Sequence, residues 1–184
     1  MACCNNLTEA ELQQAILDQD VAIFDRLQQL IEAVSASAAA AGACQSGYFF
    51  NLEATDTVAI GAPFPFDTDG PTNPALYAHT ASPTPATSAP ITILTAGTYR
   101  VDYSVTVAEA RQIALYLDGA VVLSTIYGQA TGTAVTTAFA IIEVAAGQVL
   151  TLRNHLSAAA LTLVTPSGGT ANNTTDSLII TKLC

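Results

Sequence analysis

Cysteines are the residues of this chain with the clearest potential for chemistry. There are four of them: Cys3 and Cys4 near the start, Cys44 about a quarter of the way along, and Cys184 at the last position. A zinc site usually draws on closely spaced cysteine pairs with histidine support, and the two histidines lie far from these thiols in sequence. The thiols are then either all reduced or paired. Because thiols near chain ends can reach another copy, we expect all four to form intersubunit disulfides, which requires oxidising surroundings.

Two alternating carboxylates form a second, smaller constellation. Asp67 and Asp69 stand two residues apart before Gly70, and alternating carboxylates in a loop can share a calcium ion through oxygen ligands. The later acidic ligand of an EF-hand loop is missing, and the same pattern is common in ordinary turns. Asp67 and Asp69 are therefore a weak calcium candidate, and the sequence predicts neither a firm metal site nor any other cofactor.

Catalytic patterns are missing from the sequence. It contains no G-x-S-x-G, H-E-x-x-H or phosphate-binding glycine loop. A pair of carboxylates for glycoside chemistry could be drawn from Asp67, Asp69, Asp102 and Glu109, but nothing in the spacing selects any two of them. His79 and His155 follow no known motif with a serine or cysteine nucleophile. The sequence thus predicts a protein that is not an enzyme.

Composition limits the partners. Of 184 residues, 51% are hydrophobic and 11% are charged, and the net charge is −10 with only five Lys and Arg. Five scattered cations cannot build the basic stripe that nucleic acids or anionic membranes require. No apolar run is long enough to span a membrane, and no cationic start or apolar core indicates a signal peptide. A surface with so few charges suits burial between copies of the chain.

A helical pattern covers residues 7–41. Thr8 and Glu11 form a capping box, T-x-x-E. The apolar stripe that follows is wider than a two-stranded coiled coil needs. Its predicted interface residues are Leu17, Ile23, Phe24, Leu27, Leu30, Ile31 and Val34. The helix either packs on its own domain or associates with helices of other subunits.

From Tyr48 onward the apolar residues recur with a period of two. The clearest strand is 99–107, and Asp118-Gly119 marks a hairpin. Residues 61–90 are rich in proline and threonine and are predicted to form a loop. Eight to ten short strands at regular spacing predict a mainly β protein, an antiparallel jelly-roll sandwich with an N-terminal α-helical arm. The predicted parts are 1–44, the cysteine arm and amphipathic helix, and 45–184, the jelly roll.

Four ordered segments carry a family resemblance. They are 95–105 (TAGTYRVDYSV), 113–119 (IALYLDG), 145–154 (AAGQVLTLRN) and 177–183 (SLIITKL). Together they resemble the C-terminal domain of bacterial exosporium collagen-like glycoproteins. The resemblance implies a jelly roll of the tumour-necrosis-factor and complement globular-head type, often trimeric, on a spore or cell surface. The Gly-X-Y repeats that usually precede that domain do not occur here.

The cysteine layout is similar to that of endospore appendage subunits, in which an N-terminal arm with paired cysteines precedes a jelly roll. We therefore expect a structural subunit of an extracellular or spore-surface filament, held by packing and intersubunit disulfides. We expect its partners to be copies of itself, with other surface or fibre subunits as further candidates. The alternative is a trimeric binding head on a spore, cell-surface or phage fibre.

Overall fold

The structure is a computed structural model that describes residues 8–42, 44–52, 54–82 and 84–184. The chain divides into two compact units, Met1–Ala43 and Cys44–Cys184. The predicted residues Cys3 and Cys4 lie outside the described residues.

The first unit contains one long helix, α1 (Glu9–Gly42), as the apolar periodicity predicted. The capping box is formed. The Thr8 amide donates to Glu11 Oε2 at 2.7 Å, and the Glu11 amide donates back to the Thr8 hydroxyl at 3.3 Å. The Thr8 amide and the Thr8 hydroxyl, which donates to the same Oε2 at 2.8 Å, together lower the pKa of the Glu11 carboxyl. Among the described residues, no helix combines the length and apolarity that a membrane span requires.

The second unit is an antiparallel β-sandwich. Its strands are β1 (Ser46–Leu52), β2 (Thr57–Val58), β3 (Thr68–Thr72), β4 (Tyr77–Ala78), β5 (Ile91–Ile93), β6 (Gly97–Thr106), β7 (Arg111–Leu117), β8 (Ala120–Val121), β9 (Tyr127–Gln129), β10 (Val135–Val144), β11 (Val149–Asn154), β12 (Leu161–Thr162) and β13 (Thr174–Lys182), with a short helix α2 (Pro85–Ser88) before β5. One sheet has the order β10-β6-β13-β1-β3. The other has the order β4-β5-β11-β7-β8, with β9 also on β7, and β12 pairs with β2. The predicted mainly β jelly-roll class is confirmed.

Strand β6 shows why this sequence folds into two layers. Tyr99, Val101, Tyr103 and Val105 are buried, whereas Arg100 between them is exposed. Because side chains alternate across a strand, the apolar half of β6 lies in the core. The buried cluster also includes Leu150 and Leu152 of the other sheet, so the core lies between the two layers.

Two local predictions were wrong. The described residues form thirteen strands rather than eight to ten, because several are pairs or triplets of residues too short to show a period. Residues 61–90 are not simply a loop, since β3, β4 and α2 lie within them. Strand β3 contains Pro71 and is accommodated because it stands at the edge of its sheet, where a proline costs no ladder hydrogen bond on the open side.

Candidate association surface

The five-stranded sheet exposes large apolar side chains on the side that faces away from the core. In β10 the exposed residues alternate with buried ones along the whole strand. Val135, Phe139 and Ile141 are 54%, 60% and 61% exposed. Isolated exposed apolar residues are ordinary, but an aligned set on one face typically marks an interaction surface.

Strand register places further residues beside these three. Phe139 pairs with Asp102 of β6, Asp102 with Ile179 of β13, and Ile179 with Tyr48 of β1. The next row begins at Thr137 and ends at Phe50, whose ring stacks on Tyr48 with centroids 4.9 Å apart. We call this set the outer face. It comprises Val135, Thr137, Phe139, Ile141, Arg100, Asp102, Ser104, Ser177, Ile179, Tyr48 and Phe50.

A shallow groove crosses the middle of the outer face. It has a volume of about 420 Å³, and its lining includes Phe139 and Ile179 on the apolar side and Asp102, Ser104 and Ser177 on the polar side. A Phe or Leu side chain from another molecule would fit into such a space. The mixture of an apolar wall and hydroxyl groups is typical of a protein contact surface.

The one cation of the outer face is neutralised within it. Arg100 Nε and Nη2 donate to the two carboxylate oxygens of Asp102 at 2.8 and 2.7 Å, and the guanidinium lies 5.3 Å from the Phe139 ring centroid. The hydrogen bonds to Asp102 raise the pKa of Arg100. Since the pair is already formed, Arg100 and Asp102 together contribute no net charge that would oppose packing against a second copy.

The predicted helix interface is also exposed. The seven residues are between 52% and 70% exposed: Leu17, Ile23, Phe24, Leu27, Leu30, Ile31 and Val34. Within the first unit they form one stripe along α1. Whether this stripe contacts another subunit stays a prediction.

The two described cysteines are unpaired and exposed. Cys44 Sγ lies 2.9 Å from the Ser46 hydroxyl, and this hydrogen bond lowers the pKa of the thiol. Ser46 pairs with Thr181, and the Lys182 amide donates to Gln45 O, so Cys44 and Cys184 stand at the same end of the β1–β13 ladder. Disulfide formation by these two and by Cys3 and Cys4 stays a prediction.

The predicted calcium candidates have other partners. Asp69 Oδ1 lies 2.6 Å from His79 Nδ1, and Asp67 Oδ1 accepts a hydrogen bond from the Thr68 hydroxyl at 2.8 Å. No cluster of three or more His, Cys, Asp or Glu suited to a metal ion occurs in the described part of the chain. The carboxylates of Asp67 and Asp69 are therefore engaged in hydrogen bonds just before and within the edge strand β3, and we do not propose a calcium site.

Sequence reasoning missed one buried acid. Asp176 lies in β13 and is only 1% exposed. Its carboxylate accepts from the Thr175 hydroxyl at 3.0 Å and from the Asn51 side-chain amide at 3.4 Å. Burial outweighs these bonds and raises the pKa of Asp176 to about 8. In the sequence the last apolar run begins at Leu178, so nothing in the pattern assigns Asp176 to the core.

This raised pKa predicts a pH dependence of stability. Between the unfolded pKa near 4 and the folded value of about 8, the native state holds a proton that the unfolded chain has released. The free energy of unfolding should therefore fall as the pH rises through this range, by up to about 1.4 kcal/mol per pH unit. In urea titrations at pH 5, 6.5 and 8, Asp176→Asn should become progressively more stable relative to wild type. The exposed control Asp25→Asn should show no such trend, and an equal trend in both variants would contradict the assignment.

Comparison with known proteins bears on the fold alone. No family model and no curated protein matches the chain. Among solved structures it is similar to the globular domain of a zebrafish complement 1qA protein, at 6% identity and a TM-score of 0.54, covering 76% of this chain and 98% of that one. It is also similar to Eiger TNF from S. frugiperda, at 16% identity and a TM-score of 0.50, covering 76% and 92%. The jelly roll is therefore of the kind found in TNF and complement globular-head domains.

Proposed function

We propose that this chain is a non-catalytic structural subunit that associates with copies of itself through the outer face, most simply as a closed trimeric head. The aligned, exposed apolar side chains of β10 carry the proposal. Burying a large apolar side chain stabilises a contact by about 1.5–3 kcal/mol, and a stable interface buries roughly 1,600 Å² in total. The outer face extends across four strands of the sheet. Its neutralised Arg100–Asp102 pair adds no uncompensated charge to that contact.

The number three rests on the sequence motifs. The segments within 95–183 resemble exosporium glycoprotein domains, and that resemblance implies trimers. When one surface of a subunit contacts a different surface of its neighbour, a closed ring leaves neither surface exposed on any subunit. Fold likeness to complement and TNF domains is compatible with this arrangement and does not by itself assign it.

The hydrogen bonding of both histidines supports a non-catalytic role. His79 contacts Asp69 at Nδ1 and the Ser88 carbonyl at Nε2, so both ring nitrogens are engaged. His155 Nδ1 contacts the Tyr116 hydroxyl. In the part of the chain that the structure describes, neither histidine is hydrogen-bonded to a serine hydroxyl or a cysteine thiol, the pairing that nucleophilic catalysis uses.

A filament subunit is the second candidate, and the placement of the two body thiols favours it. Cys44 and Cys184 are exposed at one end of the second unit. If the alternation of β1 and β13 continues past their ends, the two side chains point to opposite faces of the sheet, an orientation that disfavours a bond within one subunit. They would then bond arm cysteines of neighbouring subunits at an extracellular or spore surface.

One experiment separates these candidates. Sedimentation of purified protein should give about 57 kDa for a closed trimer, three times the chain mass of 18.9 kDa, with or without reductant. The filament predicts species of open-ended size that stay large on non-reducing gels and collapse toward the chain mass of 18.9 kDa on reducing gels. A monomer at every concentration, with its thiols titratable, would contradict both.

A further inference from the structure

The sheet opposite the outer face carries a separate cluster of one aromatic and two basic side chains. Tyr116 lies in β7, Arg153 in β11, and His155 directly after β11. The Arg153 guanidinium lies 4.8 Å from the Tyr116 ring centroid. The Tyr116 hydroxyl lies 2.6 Å from His155 Nδ1. All three side chains are partly exposed.

The fold holds the Arg153 guanidinium in one place. Tyr116 pairs with Thr151, two residues before Arg153 on the neighbouring strand, so Tyr116 and Arg153 are diagonal neighbours on one face. Arg153 Nε donates to the Thr151 hydroxyl at 3.0 Å and Nη1 donates to Gly61 O at 3.4 Å. The side chain is therefore positioned before any ligand arrives, which lowers the entropic cost of binding.

Arg100 shows what Arg153 lacks. Both guanidinium groups lie over an aromatic ring. Arg100 is hydrogen-bonded to both carboxylate oxygens of Asp102. The ion pairs among the described residues are Arg100–Asp102 and His79–Asp69, and neither of them includes Arg153. Among the described residues Arg153 thus has no carboxylate partner, although the sequence as a whole contains 15 acidic residues against five Lys and Arg.

A second donor points to the same chemistry. When the Tyr116 hydroxyl donates to His155 Nδ1, the ring proton of the neutral imidazole lies on Nε2, which is then a donor. Arg153 Nη2 has no hydrogen bond within the described residues and supplies further donors. The cluster therefore offers N–H groups from two side chains, and none of the contacts given for its three described side chains involves a carboxylate.

We propose that Arg153, with Tyr116 and His155, binds the carboxylate group of a ligand. Nη2 keeps both of its N–H groups and Nη1 keeps one, so this edge of the planar guanidinium can bind the two oxygens of a carboxylate, and such charge-assisted bonds are stronger than neutral ones. The carboxylate would belong either to a free organic acid or to an acidic polysaccharide. This site lies on the sheet opposite the outer face and is independent of the proposed association.

The proposal is tested by titrating ¹⁵N-labelled protein with matched probes. Acetate should shift the amide signals of Gln112, Tyr116 and His155, and acetamide, which is neutral and of nearly the same size, should not. Sodium chloride at equal ionic strength controls for salt. Trigalacturonate then separates the two sources, because a polysaccharide site binds it at least about tenfold more tightly than acetate and a free-acid site does not.

Variants assign the effect to Arg153. We expect Arg153→Gln to raise the acetate Kd at least about tenfold and Arg153→Lys, which keeps the charge without the fork, to raise it several-fold. Lys182→Gln removes an equal charge elsewhere on the second unit and should leave the Kd within about twofold. The Lys variant also covers the case in which the Gln variant does not fold. Equal shifts with acetamide, no shifts with either acid, or equal losses in Lys182→Gln would each overturn the proposal.

Discussion

Replacing Val101 with aspartate should unfold the jelly roll, whereas replacing its neighbour Arg100 with alanine should leave it folded. Val101 is 0% exposed in β6, which lies between β10 and β13. The change removes about 1.5–3 kcal/mol of apolar burial and also places a carboxylate in the core without a partner. A domain of this size is stable by only about 5–15 kcal/mol, so the combined loss is a large share of the total.

Urea titrations followed by circular dichroism measure this difference. Arg100 is exposed and its ion pair with Asp102 is on the surface, so Arg100→Ala should lower the free energy of unfolding by no more than about 1 kcal/mol. Val101→Asp should show no cooperative unfolding transition, or a free energy of unfolding that is lower by at least about 4 kcal/mol. Similar midpoints for the two variants would mean that β6 does not bury the face assigned to it.

The contrast between β6 and β3 explains how far the sequence predicts this fold. β6 is ten residues long and one face is fully buried, so its alternation is visible without any structure. β3 contains Gly70 and Pro71, and its pairing with β1 stabilises it as an edge strand. Tertiary pairing of that kind leaves no periodic trace in the residues of the strand itself.

Of the candidate surfaces, one could be predicted from the local sequence and the others depend on tertiary pairing. The α1 stripe could be predicted because a helix sets the spacing of its own face. The outer face joins β10, β6, β13 and β1, and Phe139 and Tyr48 are 91 positions apart in the printed sequence. Only strand order and register bring such residues together, and a single sequence specifies neither. The Tyr116, Arg153 and His155 cluster was missed for the same reason, since only the β7–β11 register brings it together.

The burial of Asp176 illustrates a different limit. Asn172 and Asn173 are typical turn residues, and the apolar run after them begins only at Leu178, so the local sequence indicates a last strand that excludes Asp176. In the structure Thr175 and Asn51 provide hydrogen bonds that make burial tolerable. Asn51 is 125 positions away in the chain, so no local pattern could indicate its contribution.

Changing Phe139 and Ile141 together to aspartate should convert the assembly to monomers without unfolding the sandwich. Both side chains are about 60% exposed in the single chain, so their loss costs the monomer little. In an association through the outer face, each would lose the burial of this exposed part, roughly 1–2 kcal/mol per interface. The association constant of each contact should therefore fall by a factor of about 30 to 10³, and the desolvation of the new carboxylates would weaken it further.

A companion variant and a control decide which surface matters. Phe24→Asp with Leu27→Asp places two equivalent charges on the α1 stripe, where the two side chains are 70% and 52% exposed. Ile60→Asp places one such charge at a residue of 52% exposure outside both surfaces. Sedimentation at matched concentrations, with circular dichroism to verify folding, measures all three. If the helix variant alone dissociates, α1 is the seam and the outer face is not. If Ile60→Asp dissociates as readily, the effect is one of added charge, and the proposed surface loses its support.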